Sequence, residues 1–410
     1  MDKTFIFFCI LFILIGEFIL ATVMNYLNAK HFKDPIPNDL NDVYNVEEYE
    51  KSQAYKLRNY KFGIITSIFS LALILSFLFF GGFAWVDEVA LNFTSNTIIQ
   101  ALIFFGIIML GSDILNTPFS YYQTFVIEEK FGFNKTTHKT FLIDKLKQWA
   151  MTIIIGGGIL SLVIWFFQWA STNFWLYTWG LITIFILFMN LFYSKLIVPL
   201  FNKQEPLEEG SLKEKIEQYA TNVGFDLQHI FVINGSKRST KANAYFSGFG
   251  KEKRVTLYDT LINDLEEEEI VAVLAHEIGH YKRKHIIFNL AASILLTGFM
   301  LFLLSLFINN PEVSLAMGVD RPSFHAALIG FGILYSPISE ITGLLMNYFS
   351  RKFEYQADDY AKKTYASNPL ISSLKKLSKN SLSNLTPHPA YVFMHYSHPP
   401  LIDRVRNLKA

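Results

Sequence analysis

The sequence predicts a mainly α-helical, polytopic membrane protein that carries a candidate metal site, and three observations predict this class. Hydrophobic residues make up 51% of the 410 residues and charged residues only 17%, which is too apolar for a soluble enzyme. Apolar runs long enough to cross about 30 Å of hydrocarbon recur along the chain. Between two of these runs, His276-Glu277-Ile278-Gly279-His280 places two histidines four residues apart.

The apolar runs predict about seven transmembrane helices. The first run begins close to Met1, but it contains Glu17 and has no small-residue cleavage site, so we expect a retained helix and not a secretory signal. The only cysteine, Cys9, lies inside this run, so the chain alone cannot form a disulfide or a thiolate metal site. The predicted spans are Thr4–Val23, Phe62–Trp85, Ile98–Leu115, Trp149–Trp169, Phe174–Leu200, Ile286–Ile308 and Phe324–Tyr348.

Basic residues alternate between the loops that connect these spans. The first and third loops are rich in lysine, the second and fourth have no basic residue, and the segment 203–284 is basic again. Because positively charged loops stay in the cytoplasm, we expect the amino terminus outside and both the segment 203–284 and the tail after Arg351 inside. The net charge of +1 excludes polyanion binding as the main function of the protein. We therefore expect a lipid bilayer and no nucleic acid as partner.

We divide the chain where water-exposed segments with polar motifs interrupt the apolar runs. The predicted parts are 1–200 with spans one to five, 201–285 as a metallopeptidase insert, 286–348 with spans six and seven, and 349–410 as a cytoplasmic tail.

The insert has the local patterns of a small α/β unit. Helical periodicity covers Leu212–Asn222, and short β-branched or aromatic runs at His229–Asn234 and Arg254–Tyr258 predict two strands of a small sheet. Asp264 followed by Glu267 predicts a capping box at the start of the helix that carries the histidine pair.

The histidine pair is the strongest functional pattern in the chain. On a helix, residues four apart share one face, so His276 and His280 can bind one metal ion together. Imidazole binds zinc well, zinc lowers the pKa of a water molecule towards neutrality, and Glu277 can take the proton. The pattern favours metal-assisted hydrolysis, above all of a peptide bond. The alternative of two helical histidines without a metal stays open here.

A third ligand is expected after the last span, because catalytic zinc usually has three protein ligands. Glu354 and Asp358 are four residues apart on a predicted helix, so Glu354 can ligate while Asp358 holds one histidine's distal N–H. The alternative is a solvated acidic turn that balances Arg351 and Lys352. His285 would lie about 140° round a continuous helix from His280 and is not expected to be a ligand.

Several stretches together resemble one family. They are His276–His280, Phe353–Asp358, Ser397-His398-Pro399-Pro400 with Arg404, and Asn243-Ala244-Tyr245. Their order and spacing resemble the type I CaaX prenyl proteases, the Ste24-like integral-membrane zinc metalloproteases of the M48 family.

The resemblance implies a role for each matching residue. It implies one zinc ion per chain at the cytoplasmic side of a large water-filled chamber that the membrane helices enclose. Two cleft residues then have physical roles, since His398 can donate to an oxyanion and Arg404 suits a carboxylate or a carbonyl of the substrate. The implied set is His276, His280 and Glu354 as zinc ligands, Glu277 as general base, Asp358 behind the ligands, His398 and Arg404 in the cleft, and Asn243 beside the substrate backbone.

We therefore expect a membrane-embedded zinc metalloendopeptidase that cleaves near the carboxyl end of peptides or membrane proteins, prenylated or not. One alternative is a quality-control protease of membrane proteins without CaaX preference. A different class, a transporter, stays open because Glu17, Asp113 and Glu340 lie within or near spans. A catalytically dead scaffold is disfavoured by the intact Glu277. Compact length favours a bacterial cytoplasmic membrane, with the endoplasmic reticulum membrane as the alternative.

Overall fold

Long apolar helices form the body of the protein. A computed structural model describes residues 2–247 and 253–410. Within these residues, six stretches are long and apolar enough to cross a membrane: Lys3–Lys33, Val46–Phe79, Thr97–Phe131, His138–Phe201, His285–Phe307 and Phe324–Thr364.

The described part of the chain is mainly helical, with π-helical turns at Gln123–Glu128 and Thr152–Gly156. Its α-helices are α1 Lys3–Lys30, α2 Val46–Phe79, α3 Gly82–Phe93, α4 Thr97–Tyr122, α5 Glu129–Phe131, α6 His138–Met151, α7 Gly157–Ala170, α8 Phe174–Leu196, α9 Val198–Phe201, α10 Ser211–Asn222, α11 Asp259–Asp264, α12 Glu267–Lys282, α13 His285–Phe307, α14 Pro311–Ala316, α15 Phe324–Thr364, α16 Ser367–Asn380, α17 Pro389–His395 and α18 Leu401–Lys409.

The longest apolar stretch, of 64 residues, contains α6 to α9, and within it α7 and α8 fold back on each other. Helix α7 ends at Ala170, Ser171 turns the chain with a φ of 47°, and α8 begins at Phe174. The rings of Phe167 and Phe174 meet edge to face across this turn, with centroids 5.3 Å apart. Each of the seven predicted spans therefore has a helix, although six stretches pass the length and hydropathy criteria.

The second predicted span, Phe62–Trp85, was wrong at its carboxyl end. Helix α2 stops at Phe79, Gly81 adopts a left-handed conformation with φ 69°, and α3 starts at Gly82. A Cβ on Gly82 would lie 2.6 Å from the ring of Phe77, so this turn needs glycine for a close approach as well as for backbone freedom.

Two separate hydrophobic cores hold the helices together, one near each end of the membrane region. One core contains Ile10, Phe83, Phe104 and other residues at the end near the amino terminus. The other contains α12, the sheet and the first and third loops, with Ile127 and Leu274 among its fully buried side chains. In the apolar window of each span only 6–22% of the residues are buried. The helices therefore pack at two ends and leave space between them.

The small sheet has four strands where the sequence predicted two. The strands are β1 Gln204–Pro206, β2 His229–Ile233, β3 Ala244–Ser247 and β4 Arg254–Tyr258, in the order β1-β2-β4-β3. Strands β2 and β4 are the predicted pair and run parallel, whereas β1 and β3 add antiparallel at the two edges. Among the described strands, β3 is therefore an edge strand that pairs with a neighbour on one side only.

The predicted capping box at Asp264 and Glu267 was wrong by two residues. Asp264 ends α11, and the N–H of Glu266 donates to Glu269 Oε2 at 2.8 Å. Lys376 on α16 donates to the same carboxylate at 2.8 Å. Burial would raise the pKa of Glu269, but these hydrogen bonds outweigh it and hold the pKa below its ordinary value. The start of α12 is thereby attached to α16.

The last span and the helix of the expected third ligand are one continuous helix. Helix α15 runs for 41 residues, about 60 Å, and contains Pro337 in its membrane part. The sequence analysis ended the span at Tyr348, but the following residues contain no helix breaker, so the helix continues. It carries Glu354 and Asp358 to the side of α12.

Candidate active site

The site forms where α12 crosses α15 at close range. Gly279 makes this crossing possible, because a Cβ there would lie 3.1 Å from Ala357 Cα and 3.1 Å from Tyr360 Cβ. Ala357 is itself fully buried. The helices therefore approach closely enough for short and medium side chains to meet between them.

Three side chains converge at this crossing. The Nε2 atoms of His276 and His280 lie 3.1 Å apart. Glu354 places Oε2 3.4 Å from the Nε2 of His276 and Oε1 3.3 Å from that of His280. A tetrahedral zinc ion with ligand bonds of about 2.0–2.1 Å separates its ligand atoms by about 3.3–3.4 Å. The three groups therefore have the separations of a preformed metal triad.

The chemistry of this donor set also fits a divalent cation. Glu354 Oε2 is buried and makes no hydrogen bond, so one carboxylate oxygen lacks a donor. Burial would lower the pKa of His276, but hydrogen bonds with Asp358 and Glu354 raise it to about 9. The carboxylates thus favour positive charge at this point, which a metal ion supplies.

Asp358 and Arg404 hold His276 from behind. Asp358 Oδ1 accepts from His276 Nδ1 at 2.8 Å, which leaves the Nε2 lone pair directed into the site. Arg404 on α18 donates Nε–H and an Nη–H to the two oxygens of Asp358 at 2.8 and 2.6 Å. Its Nη1 lies 3.3 Å from Glu354 Oε2, and its side chain is 10% exposed.

His285 orients His280, which the sequence analysis missed. The two Nδ1 atoms lie 3.0 Å apart, and His285 Nε2 lies 2.8 Å from Gln356 Oε1. The angular argument assumed a continuous helix, whereas α12 ends at Lys282 and Lys284 adopts φ 61°, so His285 starts a new helix. The expectation that His285 is not a metal ligand is not contradicted, since the cluster of donor atoms among the described residues consists of His276, His280 and Glu354. With a non-glycine residue at the break, no common sequence signal marks it. The sequence could have indicated this role only through the unusual density of histidines.

A cavity of about 760 Å³ opens in front of the triad. Glu277 lines the wall of this cavity together with His276 and His280. The remaining predicted residues, Asn243, His398 and Arg404, line the same cavity. Among the predicted site residues, only Asp358 lies behind this surface, fully buried.

His398 and Asn243 both line the cleft and have different contacts. His398 Nε2 is 3.3 Å from Glu354 Oε1, and 65% of its side chain is exposed. The carbonyl of Asn243 accepts from the N–H of Tyr258, and its side chain accepts from the N–H of Ala244 at 2.8 Å. Asn243 therefore fixes the start of β3, whose residues Ala244–Phe246 line the cavity.

A metal triad, an adjacent carboxylate and an open cleft on a membrane-spanning body define a membrane-embedded metalloendopeptidase. Residues 25–203 match the family described as CAAX prenyl protease N-terminal, five membrane helices, and residues 206–410 match peptidase family M48. The chain belongs to peptidase family M48, whose members are metallopeptidases.

Individual relatives agree with this assignment over nearly the whole chain. A CAAX prenyl protease 1 homolog from Arabidopsis thaliana is 36% identical over 96% of this chain and 95% of the relative. CAAX prenyl protease 1 from Saccharomyces cerevisiae is 35% identical over 96% and 93%. The crystal structure of S. mikatae Ste24p superposes with a TM-score of 0.93 at 34% identity, covering 99% of both chains. The transporter alternative loses its support.

Replacement of Arg404 by Met tests whether this residue positions the ligands. We expect the affinity for zinc to fall about 10–100-fold, because Asp358 loses the cation that holds it against His276. Metal content after dialysis against graded chelator measures this. The matched control is Arg406→Met on the same helix, since Arg406 pairs with Asp39 at the surface. An Arg404→Met protein with unchanged zinc affinity and only a raised KM would assign Arg404 to substrate binding, as the sequence predicted.

Proposed function

We propose that this metalloendopeptidase uses one zinc ion held by His276, His280 and Glu354 to cleave peptides near their carboxyl ends, prenylated peptides included. The observation that carries the proposal is the triad itself, with its three donor atoms within 4.8 Å and Glu277 on the same cavity wall. Zinc when bound supplies a Lewis acid and lowers the pKa of water. The remaining work is done by the side chains of the chain.

Glu277 acts as the general base and then as the proton carrier. It takes a proton from the attacking water and passes it to the nitrogen of the leaving peptide, and it lines the same cavity as the three metal-binding side chains. His398 donates to the oxygen that becomes negatively charged in the transition state. Its mostly exposed ring can turn from Glu354 towards a substrate in the cleft.

The free edge of β3 binds the substrate backbone. An extended peptide added beside Ala244–Ser247 would continue the sheet antiparallel or parallel with main-chain hydrogen bonds. Asn243 keeps this edge in place at the cleft. Asp358 and Arg404 orient His276, and His285 orients His280, so the reacting groups need little rearrangement.

Prenylated substrates suit the surroundings of the cleft. The relatives carry the name CAAX prenyl protease 1, and the cleft adjoins apolar spans that can accept a lipid chain. A peptidase of membrane proteins without preference for a lipid is the competing specificity. Both use the same triad, so the specificity has to be measured.

We place the active site on the cytoplasmic face. The segments that join the core around α12 carry the basic residues, including Lys51, Lys56 and Lys61 in the first half of α2, and basic segments stay in the cytoplasm. This assignment holds for a bacterial cytoplasmic membrane and for the endoplasmic reticulum. Chain length does not decide between these membranes, because the Arabidopsis relative aligns over 95% of its own length.

The test uses sealed vesicles of both orientations that contain the purified protein. A farnesylated peptide and its unprenylated twin are added outside, and the products are identified by mass spectrometry with and without a zinc chelator. We expect chelator-sensitive cleavage near the carboxyl end only when the cytoplasmic face is outward, and faster for the farnesylated peptide. Equal rates for both peptides would favour the quality-control specificity. Cleavage that survives thorough zinc removal would contradict the mechanism.

A further inference from the structure

A second large cavity adjoins the active-site cleft. It measures about 750 Å³ and lies between α1 and α2, with Phe18 and Tyr60 among its lining residues. Asn384 and Tyr396 line both this cavity and the cleft in front of the triad. The two spaces therefore share a wall, and a chain bound in the cleft has a neighbouring space to enter.

Lys56 is the buried cation of this second cavity. Its side chain lines the cavity, and the residue is only 9% exposed. Nζ lies over the rings of Phe32 and Tyr49, 5.8 and 5.5 Å from their centroids, and 3.5 Å from Asn384 Oδ1. Within the described residues no carboxylate lies within 4.0 Å of it. A buried ammonium without an anion is costly, which is why such groups usually have a partner.

Three other lysines of the described chain, all more exposed than Lys56, have such a partner. Lys145 forms an ion pair with Asp113 at 2.6 Å, and Lys241 with Glu128 at 3.0 Å. Lys376 pairs with Glu269 at 2.8 Å. Lys56 differs from these three because its nearest polar partner is a neutral amide at the limit of hydrogen-bond distance. An ammonium has three N–H donors, so two remain for a ligand.

The surroundings of Lys56 are held in a fixed arrangement. Asn384 donates its amide to Asn28 Oδ1 at 3.3 Å and accepts from the N–H of Thr386 at 3.2 Å. The acidic side chain that lines the cavity, Glu17, lies eleven residues before Asn28 on α1, which corresponds to about 16 Å along the helix. It accepts a hydrogen bond from Ser336. An anion beside Lys56 would therefore meet a cation and an apolar ring environment without a nearby negative charge.

A peptide cleaved near its carboxyl end brings a terminal carboxylate past the triad. Arg404, the cation that the sequence suggested for this group, is already engaged by Asp358 and Glu354. We propose that Lys56 binds the terminal carboxylate of the substrate, which passes Asn384 from the cleft into the second cavity. This inference rests on the proposed peptidase function and adds a specificity-determining residue to it.

The site gives a direct reason for cleavage near a chain end. A carboxylate that reaches Lys56 fixes the number of residues between the chain end and the scissile bond, because the triad and α2 are held in one body. A peptide whose end is amidated lacks the charge and loses the charge-assisted hydrogen bond. We expect this loss to reduce kcat/KM about 10-fold, mainly through KM.

The test compares one substrate peptide as free acid and as carboxamide. The wild-type protein should prefer the acid about 10-fold, and Lys56→Met should bring the ratio to about one by lowering cleavage of the acid towards that of the amide. Lys51→Met on the exposed side of the same helix is the matched control and should keep the wild-type preference. Zinc content reports folding of each variant. Lys56→Gln replaces Lys56→Met if the latter loses zinc, with the same expected ratio.

Four outcomes would overturn the inference, and the first two leave the function on which it rests intact. A wild-type protein that cleaves acid and amide equally, or a Lys56 variant that keeps the preference, removes the carboxylate site and leaves the peptidase intact. If substitution of Lys56 changes how the cleavage rates of both peptides depend on anionic phospholipid in the vesicles, Lys56 binds a lipid phosphate and not the substrate carboxylate. If the zinc-loaded wild-type protein cleaves neither peptide, the proposed function fails and the carboxylate site falls with it.

Discussion

Replacement of Glu277 by Gln lowers the rate of peptide cleavage by about 10³-fold and leaves one zinc ion per chain bound. A general base contributes about 10²–10⁴-fold, and the amide of Gln cannot accept the proton. Glu277 lies on the cavity wall and contributes no atom to the triad of donor atoms, so the metal site keeps its ligands. Steady-state cleavage of the best peptide, with metal analysis of the same sample, measures both effects.

The control for this change is Glu268→Gln on the same helix. Glu268 is exposed at the first turn of α12 and pairs with Lys215 at the surface. It should retain full activity, since a surface pair contributes little to stability. Unchanged activity of the Glu277 variant would remove the general-base assignment. Loss of zinc together with activity would instead make Glu277 part of the metal site.

Replacement of Glu354 by Gln removes zinc together with activity. Gln keeps the size of the side chain but not its charge, and the two imidazoles alone leave zinc with two protein ligands. Substitution of a residue that hydrogen-bonds to a metal ligand lowers metal affinity about 10–100-fold. We expect the loss of a ligand itself to lower the affinity for zinc by more than this. Zinc content after dialysis and its restoration by added zinc measure the change.

Glu340→Gln provides the matched control for Glu354. Glu340 lies on α15 in an exposed position fourteen residues before Glu354 and outside the cluster of metal-binding atoms. This variant should bind zinc and cleave peptide as the wild-type protein does. A Glu354→Gln protein that holds zinc as tightly as wild type would show that another side chain supplies the third ligand.

Local sequence signals predicted the parts of the molecule that depend on local physics. The apolar runs predicted seven helices because span length is set by the bilayer. The histidine pair predicted one face of α12 because helical geometry brings residues four apart together. The spacing of Glu354 and Asp358 predicted a helix for the same reason, and the structure brings Glu354 to the histidine pair.

The parts that escaped prediction depend on contacts between distant segments or on backbone breaks without a common signal. Lys284 interrupts the helix although it is not glycine, so the sequence did not predict the contact between His285 and His280. The pairing of Arg404 with Asp358 joins residues that are 46 positions apart. Strand β1 has only three residues and ends in Pro206, which hides it from pattern recognition.

The continuity of α15 has a practical consequence for anyone who wishes to isolate the catalytic half. A boundary at 348 would cut an intact helix only six positions before Glu354 and leave that carboxylate near a frayed terminus. The hydrolase portion and its anchor are one piece of backbone. A truncated soluble fragment would therefore lose the membrane part of α15, which holds the third metal-binding group, Glu354, in place.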